Sequence, residues 1–506
     1  MTRPYFLLSV ALVGLLWLIY KSWKKNRRLS NIPVVGGSGF MLSYMDAFRF
    51  FTHGEEMIQE GYTKYYPNVF RVPTWREWRI IVTSDLHIEE MKRAPEDHLS
   101  FTVAISELTA APYTLGKTIL TNPYHHAFIH TQLTHSESFN RIIPDIYDEI
   151  ITAFLEKLPP AKNWKSYKIH DLAWEVVVRV SNRVFVGLPI CRDPEYIKVV
   201  TNFTMATGLS ARIIELFPDP LKGMVSAILV NLSGSTKLAA KHIRPIVEMR
   251  RRQTARFGRN SPANSKDMLS FLMDKAPPDE QTIEDYARRI LSVNFGSAHG
   301  IAMLLIHALL ELASHPEYIE PIRQECEEAI NTYGWSKRAL NHASKLDSFL
   351  SETLRFGGVG TGAVSMFRTS VQDYMFSDGT KIPKGTSISV AQRARHLDGK
   401  IYPNAKEFQG FRLSNSAEDK KRCLSIPTTS TDFLAFGHGK HACLGRFFAA
   451  VVVNAIMIHV LFNYDLKAGR PPKHWWFEQF LFTDEHVELQ FKGRQNKSVS
   501  VSQSLI

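Results

Sequence analysis

From Ala287 to Ala313 the chain is apolar on nearly every face that a helix would present. A helix wet on one side shows a polar stripe, and one without a stripe must be covered all round. The rest of the chain therefore has to wrap this segment, which predicts a helical body around a buried central helix. The run stops at His315-Pro316, where proline cannot continue a helix. Residues 140–350 read mainly as helices, and strand signals are short. Val69–Val72 and Trp78–Val82 are two early strand candidates. Residues 370–392 alternate and turn around Asp378-Gly379, a hairpin signal. No internal repeat and no low-complexity tract interrupts the pattern. The expected fold class is mainly α with a small β subdomain.

A second apolar run opens the chain. Tyr5 to Tyr20 reads YFLLSVALVGLLWLIY and is followed by Lys21, Lys24, Lys25, Arg27 and Arg28. About 20 apolar residues span a bilayer, and interfacial Trp and Tyr extend the run to Trp23. A cleaved signal peptide carries its charge before the apolar run and ends in small residues. Here the charge follows and no Ala-x-Ala site appears. Residues 1–23 are thus expected to stay as a single-pass transmembrane helix, with everything after them in the cytosol. Residues 24–40 form a basic Pro/Gly hinge, and 41–506 one large domain. The sequons at Asn202, Asn231 and Asn496 would meet no glycosylation machinery there and are read as chance matches.

Composition narrows the remaining choices. Four cysteines, Cys191, Cys326, Cys423 and Cys443, show no Cys-x-x-Cys pair and no zinc spacing, which is reduced-compartment usage. The net charge is +12, yet no arginine run with interleaved aromatics points to nucleic acid. Anionic lipid and an acidic protein partner are the expected counterparts of that charge.

Chemistry concentrates at Phe436-Gly-His-Gly-Lys-His-Ala-Cys443-Leu-Gly445. Gly439 and Gly445 lack Cβ, so the backbone is free to turn sharply and lie close to a flat ligand. Leu444 to Phe462 is apolar and reads as a helix. That puts Cys443 at a helix N-terminus, where orphan N–H groups and the dipole favour a negative sulfur. The plain alternative is a buried structural cysteine behaving as a small hydrophobe. Upstream, Glu352 and Arg355 lie three apart and share a helix face. Arg412 lies between that pair and the cysteine, and guanidinium groups pair bidentately with carboxylates.

These segments resemble the cytochrome P450 family, in particular fungal membrane-anchored P450 monooxygenases of secondary metabolism. Phe-x-x-Gly-x-x-x-Cys-x-Gly is similar to the family's haem-binding signature. Glu352-Thr-Leu-Arg355 looks like its Glu-x-x-Arg helix, and Glu407-Phe-Gln-Gly-Phe-Arg412 like the segment that adds a second arginine. The resemblance covers essentially the whole chain. It implies the P450 fold and haem b, with Cys443 as the axial thiolate ligand of the iron and Phe436, Gly439, His441 and Gly445 around it. A thiolate donates electron density to haem iron and favours O–O cleavage. Glu352, Arg355 and Arg412 would be structural, supporting the cysteine loop. For the haem propionates the resemblance points to Arg368, His396 and His441. The family's helix near 123–135 usually gives a Trp and an Arg four apart. This chain has His126 and His130 there, which makes His130 a weaker candidate cation than arginine.

The chain departs from the family across the haem. The family supplies protons through an acid, or His in many fungal relatives, followed by threonines. Here Phe295-Gly-Ser-Ala-His299-Gly300-Ile301 puts His299 at the acid position and Gly300 at the alcohol position. Three readings stand open. His299 still relays protons, since an ordinary imidazole titrates near working pH. Gly300 leaves room for an ordered water or a substrate hydroxyl, and relaxes the helix at a point where the family is often kinked. Or the relay is lost, and the chain does non-oxygenative or substrate-assisted chemistry or is a silent haem-binding protein. Ser297, the nearest hydroxyl, reads as a packing residue.

By resemblance the pocket walls come from 101–115, 203–217, 291–300, 357–366 and 479–482. Phe101, Phe203, Leu216, Phe480 and Leu481 make them apolar, and no fixed charge stands out. The small residues of Gly357–Met366 suggest room for a bulky ligand. The expectation is a lipophilic substrate, of terpenoid kind, entering from the ER membrane, with electrons from an NADPH–cytochrome P450 reductase.

Overall fold

The computed structural model describes residues 27–37, 40–75, 77–231, 234–257, 266–358, 362–414, 425–470 and 472–494. The Tyr5–Tyr20 run, Cys423 and the sequon at Asn496 lie outside them. Helices used below are α1 (Phe40–Tyr65), α2 (Phe101–Thr109), α3 (His125–Gln132), α4 (Ile169–Phe185), α5 (Pro194–Glu215), α6 (Ile283–Ser314), α7 (Ser344–Gly357) and α8 (Arg446–Asn463).

Helix α6 is the central helix that the sequence demands. Thr282 caps it by accepting from Asp285 N, and it gives out at His315, before Pro316. Its second half, Ile301 to Leu310, is buried at every position. Both α6 and α8 are long and apolar enough to cross a membrane. However, 72% and 83% of their apolar windows are covered by protein, so they are core helices. Polar groups inside that core are matched. Asn182 of α4 and Asn294 of α6 exchange amide hydrogen bonds of 2.8 and 3.2 Å, fixing α6 just before His299. The helix runs unbroken through Gly296 and Gly300, so the kink suggested by Gly300 is not a break in the helix.

The β part is small, as expected. Strands β1 (Phe70–Pro73), β2 (Trp78–Val82), β3 (Leu99–Ser100), β4 (Ser365–Ser370) and β5 (Ser387–Val390) make one sheet in the order β1-β2-β5-β4-β3. The pair β2–β5 is parallel and the other neighbours are antiparallel. The predicted hairpin forms, with Tyr374–Met375 against Lys381–Ile382 and Gly379 at φ +85°. A further hairpin, β6 (His474–Phe477) and β7 (Phe480–Thr483), turns at Glu478-Gln479 and projects over α1 and the segment before β4. The hairpin also reaches α6, where Thr483 Oγ1 and His307 Nε2 lie 3.0 Å apart in a hydrogen bond.

Candidate active site

The cysteine loop closes on itself. Cys443 N donates to Phe436 O at 2.7 Å, and Gly437 and Gly439 take φ of +70° and +79° to allow it. A Cβ on Gly439 would stand 2.5 Å from Lys92 Cγ. Gly445 differs: its φ is an ordinary −85° and no protein atom lies within 4 Å of a Cβ built there. Among protein contacts, then, the sharp-turn demand falls on Gly437 and Gly439 rather than Gly445. Helix α8 starts at Arg446 with Gly445 as its cap, so Cys443 stands just ahead of the first turn.

The Cys443 side chain keeps accessible area although protein surrounds it, so the sulfur faces a cleft inside the fold. Burial pushes its thiol pKa up. The backbone N–H groups of Gly445 and Arg446 donate toward the sulfur, and the Arg446 guanidinium adds positive charge; each pulls it back. A desolvated sulfur ringed by donors suits a thiolate whose remaining compensation comes from a metal cation.

Arg368 makes the complementary test. It is 2% exposed, its Nη1 reaches only the neighbouring Phe367 carbonyl at 2.8 Å, and its Nε has no partner among the described residues. Desolvation pushes its pKa down to about 10. Buried arginines elsewhere in this fold hold carboxylates, as Arg179 holds Glu149 and Arg250 holds Asp267. A buried guanidinium without an anion is costly unless an anionic group arrives. Its guanidinium lies 5.6 Å from the Phe101 ring, and His441 stacks on the same ring at 5.0 Å. His441 Nε2 lies 3.1 Å from Glu96 Oε2, in a geometry that makes no hydrogen bond. The donor set fits haem: a sulfur for the iron, and Arg368 with His441 for propionates.

His396 is held in the scaffold through one ring nitrogen, while its buried Nδ1 has no partner among the described residues. It is 0% exposed, stacks on Phe433, and its Nε2 accepts from Leu434 N at 3.0 Å. Its carbonyl also accepts from Arg355. The described contacts thus engage it in holding the strand into the cysteine loop. His126 and His130 share one side of α3. Desolvation, then His130 and Arg289, lower the pKa of His126, although both histidines keep accessible area. His125, which the sequence reading did not single out, is the buried one: its Nδ1 takes Arg289 of α6 at 2.9 Å.

Glu352 and Arg355, both 0% exposed, pair bidentately at 2.7 and 2.7 Å. Arg412 Nε lies 3.1 Å from each Glu352 oxygen. Arg355 further holds the carbonyls of His396 and Ala405, and Arg412 those of Pro403 and Glu407. One carboxylate therefore ties α7 to two later segments that frame the cysteine loop.

On α6, His299 keeps accessible area, and desolvation with His170 lowers its pKa. It has no hydrogen-bond partner among the described residues. A Cβ on Gly300 would meet nothing within 4 Å, so open space adjoins it. Ser297 Oγ bonds back to Val293 O at 2.8 Å, which agrees with a packing role.

The walls differ from expectation in three ways. Phe203 is 5% exposed and belongs to the main core, while Leu216 is 49% exposed on the surface. Gly362 is small for a protein reason: a Cβ there would lie 1.9 Å from Gln479 O, and Ala363 N donates to that same carbonyl at 2.8 Å. The described part of 357–366 is therefore filled by the β6–β7 tip, not left wide for a ligand. Finally, charge is present. Glu107 Oε2 accepts from Thr369 at 2.8 Å, Arg212 joins Leu108 O to Glu478, and Arg79 enters from β2. A lone arginine in the apolar strand Trp78-Arg-Ile-Ile-Val82 was the available signal for the last.

A family model described as Cytochrome P450 matches residues 38–491. Cytochrome P450 monooxygenase 110 of Postia placenta is 34% identical over 495 residues, covering 96% of this chain and 98% of that relative. Cytochrome P450 monooxygenase CYP512U6 of Ganoderma lucidum is 33% identical over 452 residues, 88% of each. A solved structure titled as retinoic acid bound cyanobacterial CYP120A1 aligns with a TM-score of 0.69 at 16% identity, over 92% of this chain and 100% of that one, which shows the fold. Matches of this length, to proteins that share the fold around the cysteine loop, lead to one conclusion: the chain belongs to the cytochrome P450 family, as a monooxygenase.

Proposed function

We propose that this protein inserts oxygen from O2 into a lipophilic, terpenoid secondary metabolite, using electrons from NADPH delivered by a cytochrome P450 reductase. The observation that carries the haem assignment is Cys443, a desolvated sulfur with N–H donors, facing a cleft that also holds the carboxylate-free Arg368. Haem b held through Cys443 would supply the oxygen-activating iron, its thiolate ligand favouring O–O cleavage. The chain's own residues bind and orient. Half-buried Phe101, Phe295, Phe480 and Leu481 give apolar contact for the substrate. Glu352, Arg355 and Arg412 keep the cysteine loop in place.

The ER anchor is the role proposed for residues 1–23. An exposed aromatic patch beside the chain's entry into the fold supports it. Phe48 is 69% exposed; Phe51 stacks on Phe477 at 5.6 Å and lies 6.1 Å from Trp75, whose ring meets Tyr44. Exposed aromatics of this kind settle at a membrane interface.

A second reading, oxygen activation assisted by the substrate itself, is favoured by Gly300. The alcohol position offers space and no hydroxyl, and the adjacent titratable group is His299, whose pKa desolvation lowers. A substrate hydroxyl or ordered water there would complete the relay.

The reduced carbon monoxide difference spectrum of haem-loaded protein tests the first reading. The thiolate Soret position is expected in the native protein and lost in Cys443→Ser; folded, haem-loaded native protein without it refutes the assignment. Turnover with reductase must consume NADPH and place label from 18O2 in product. For the second reading, Gly300→Thr should block turnover of a substrate that uses that space. Higher coupling of NADPH to product in Gly300→Thr would instead show a merely impaired relay.

A further inference from the structure

Arg79, like Arg368, stands apart from five enclosed arginines of this fold. Arg179, Arg250, Arg289, Arg355 and Arg395 each hold a carboxylate. Arg79, half-buried on β2, donates to two neutral groups, Ser387 Oγ at 3.3 Å and Gln479 Oε1 at 3.1 Å, and has no ion-pair partner among the described residues. Desolvation pushes its pKa down, as it does for Arg368. Gln479 is 0% exposed, and its Nε2 has no partner among the described residues. That amide nitrogen is bonded to the same carbon as the oxygen that Arg79 holds, so a guanidinium without an ion-pair partner and an unsatisfied amide donor lie side by side.

Strand register fixes where they point. Arg79 is the cross-strand partner of Ser387, and Ser387 of Thr369. Neighbours in register present side chains to the same face of a sheet, and Arg368 must therefore point to the other. The face that carries Arg79 also carries Thr369, bonded to Glu107 of α2, and the Phe367 ring lies 5.7 Å from the guanidinium. Arg212 of α5 roofs this corner by joining Leu108 O to Glu478 at the β6–β7 turn. Elements α2, α5, β4 and the β6–β7 tip thus converge on it, and by the family resemblance α2, α5 and the tip belong to the segments that wall the substrate space.

We propose that Arg79 and Gln479 form an anion-accepting subsite in the distal wall, which binds a carboxylate on an otherwise lipophilic substrate. A carboxylate offers two acceptor oxygens for the two donor groups and an ion-pair partner in contact with the guanidinium. Glu478, Glu77 and Glu107 attract Arg79 from a distance, but none forms an ion pair with it, and Glu107 and Glu478 are bonded to Thr369 and Arg212. This deepens the proposed function, on which it rests for the identity of the pocket.

Calorimetric titration of the haem-loaded protein with dodecanoic acid, methyl dodecanoate and dodecan-1-ol tests it. The acid should bind at least about tenfold more tightly than the ester or the alcohol. Arg79→Gln should lose that factor for the acid alone, Arg79→Lys should keep part of it, and Gln479→Leu should weaken the acid selectively. Equal affinity for acid and ester in the native protein, or an acid preference that survives in Arg79→Gln, overturns the subsite. Folding of each variant is read from its carbon monoxide spectrum, and Gln479→Leu keeps the test alive if Arg79→Gln does not fold. A missing thiolate signature refutes the haem reading while leaving the calorimetric preference measurable. An intact signature with no acid preference refutes the subsite alone.

Discussion

Asp347 of α7 is a half-buried residue whose carboxyl is held by two modest donors, Ile426 N at 3.2 Å and Asn454 Nδ2 at 3.5 Å. Burial wins over both, and its pKa rises to about 7. The folded state therefore keeps a proton that the unfolded chain gives up near its ordinary value. The stabilisation is complete at acid pH, below the ordinary carboxyl range, and fades as pH rises toward about 7. Asp347→Asn should be the more stable form at about pH 8, by on the order of a few kcal/mol, and should flatten the pH profile. Urea denaturation at about pH 5 and about pH 8 would show this; a parallel profile in the variant would refute it. Arg368 makes an opposite case. Arg368→Leu removes a buried cation that has no ion pair among the described residues and feels only the more distant Glu96, so the haem-free form should not lose stability. The same variant should retain less haem on gel filtration, read from the ratio of haem to protein absorbance. Unchanged haem retention would remove Arg368 from the propionate role.

Two glycines show how elements decide what a residue type means. Gly362 has φ +77° and its missing Cβ would collide with Gln479 O. Gly362→Ala should destabilise by roughly 2 kcal/mol or more, since both strain and a backbone collision oppose it. Gly300 lies inside α6 with nothing within 4 Å of a Cβ. Gly300→Ala should stabilise by about 0.5–1 kcal/mol, because alanine is the better helix residue and meets no neighbour. Denaturant midpoints of the two variants should move in opposite directions. A native chain that forgoes that stability keeps space in front of His299, which is where the functional argument needs it. The loop Gly357–Met366 and the helix residue Gly300 look alike in sequence. The tip hairpin that packs on Gly362 and Ala363 and not on Gly300 comes from residues more than a hundred positions downstream of either.

At the scale of the whole molecule, stability and function meet in Glu352. A carboxylate 0% exposed holds Arg355 and Arg412 and so joins α7 to the segments on the way to Cys443. Arg412→Leu leaves the Glu352–Arg355 pair but strips one cation from a buried carboxylate. It should cost roughly 3–5 kcal/mol and loosen the cysteine loop, so that haem is lost at lower denaturant than in the native protein. Coincident native and variant transitions would refute that role. Much of this frame was legible in the chain. An apolar run with no wet face had to become the central helix, and Phe436 to Gly445 set the cysteine loop by local spacing. Glu352 and Arg355 had to share a face because helical periodicity is local. What sequence could not decide was pairing between distant segments. His396 turned to Leu434, Phe203 entered the core, and Arg79 found Gln479 about four hundred residues away. Periodicity and spacing report on a few turns of chain. Which buried group lacks a partner is known only once the fold has brought every other group to its place.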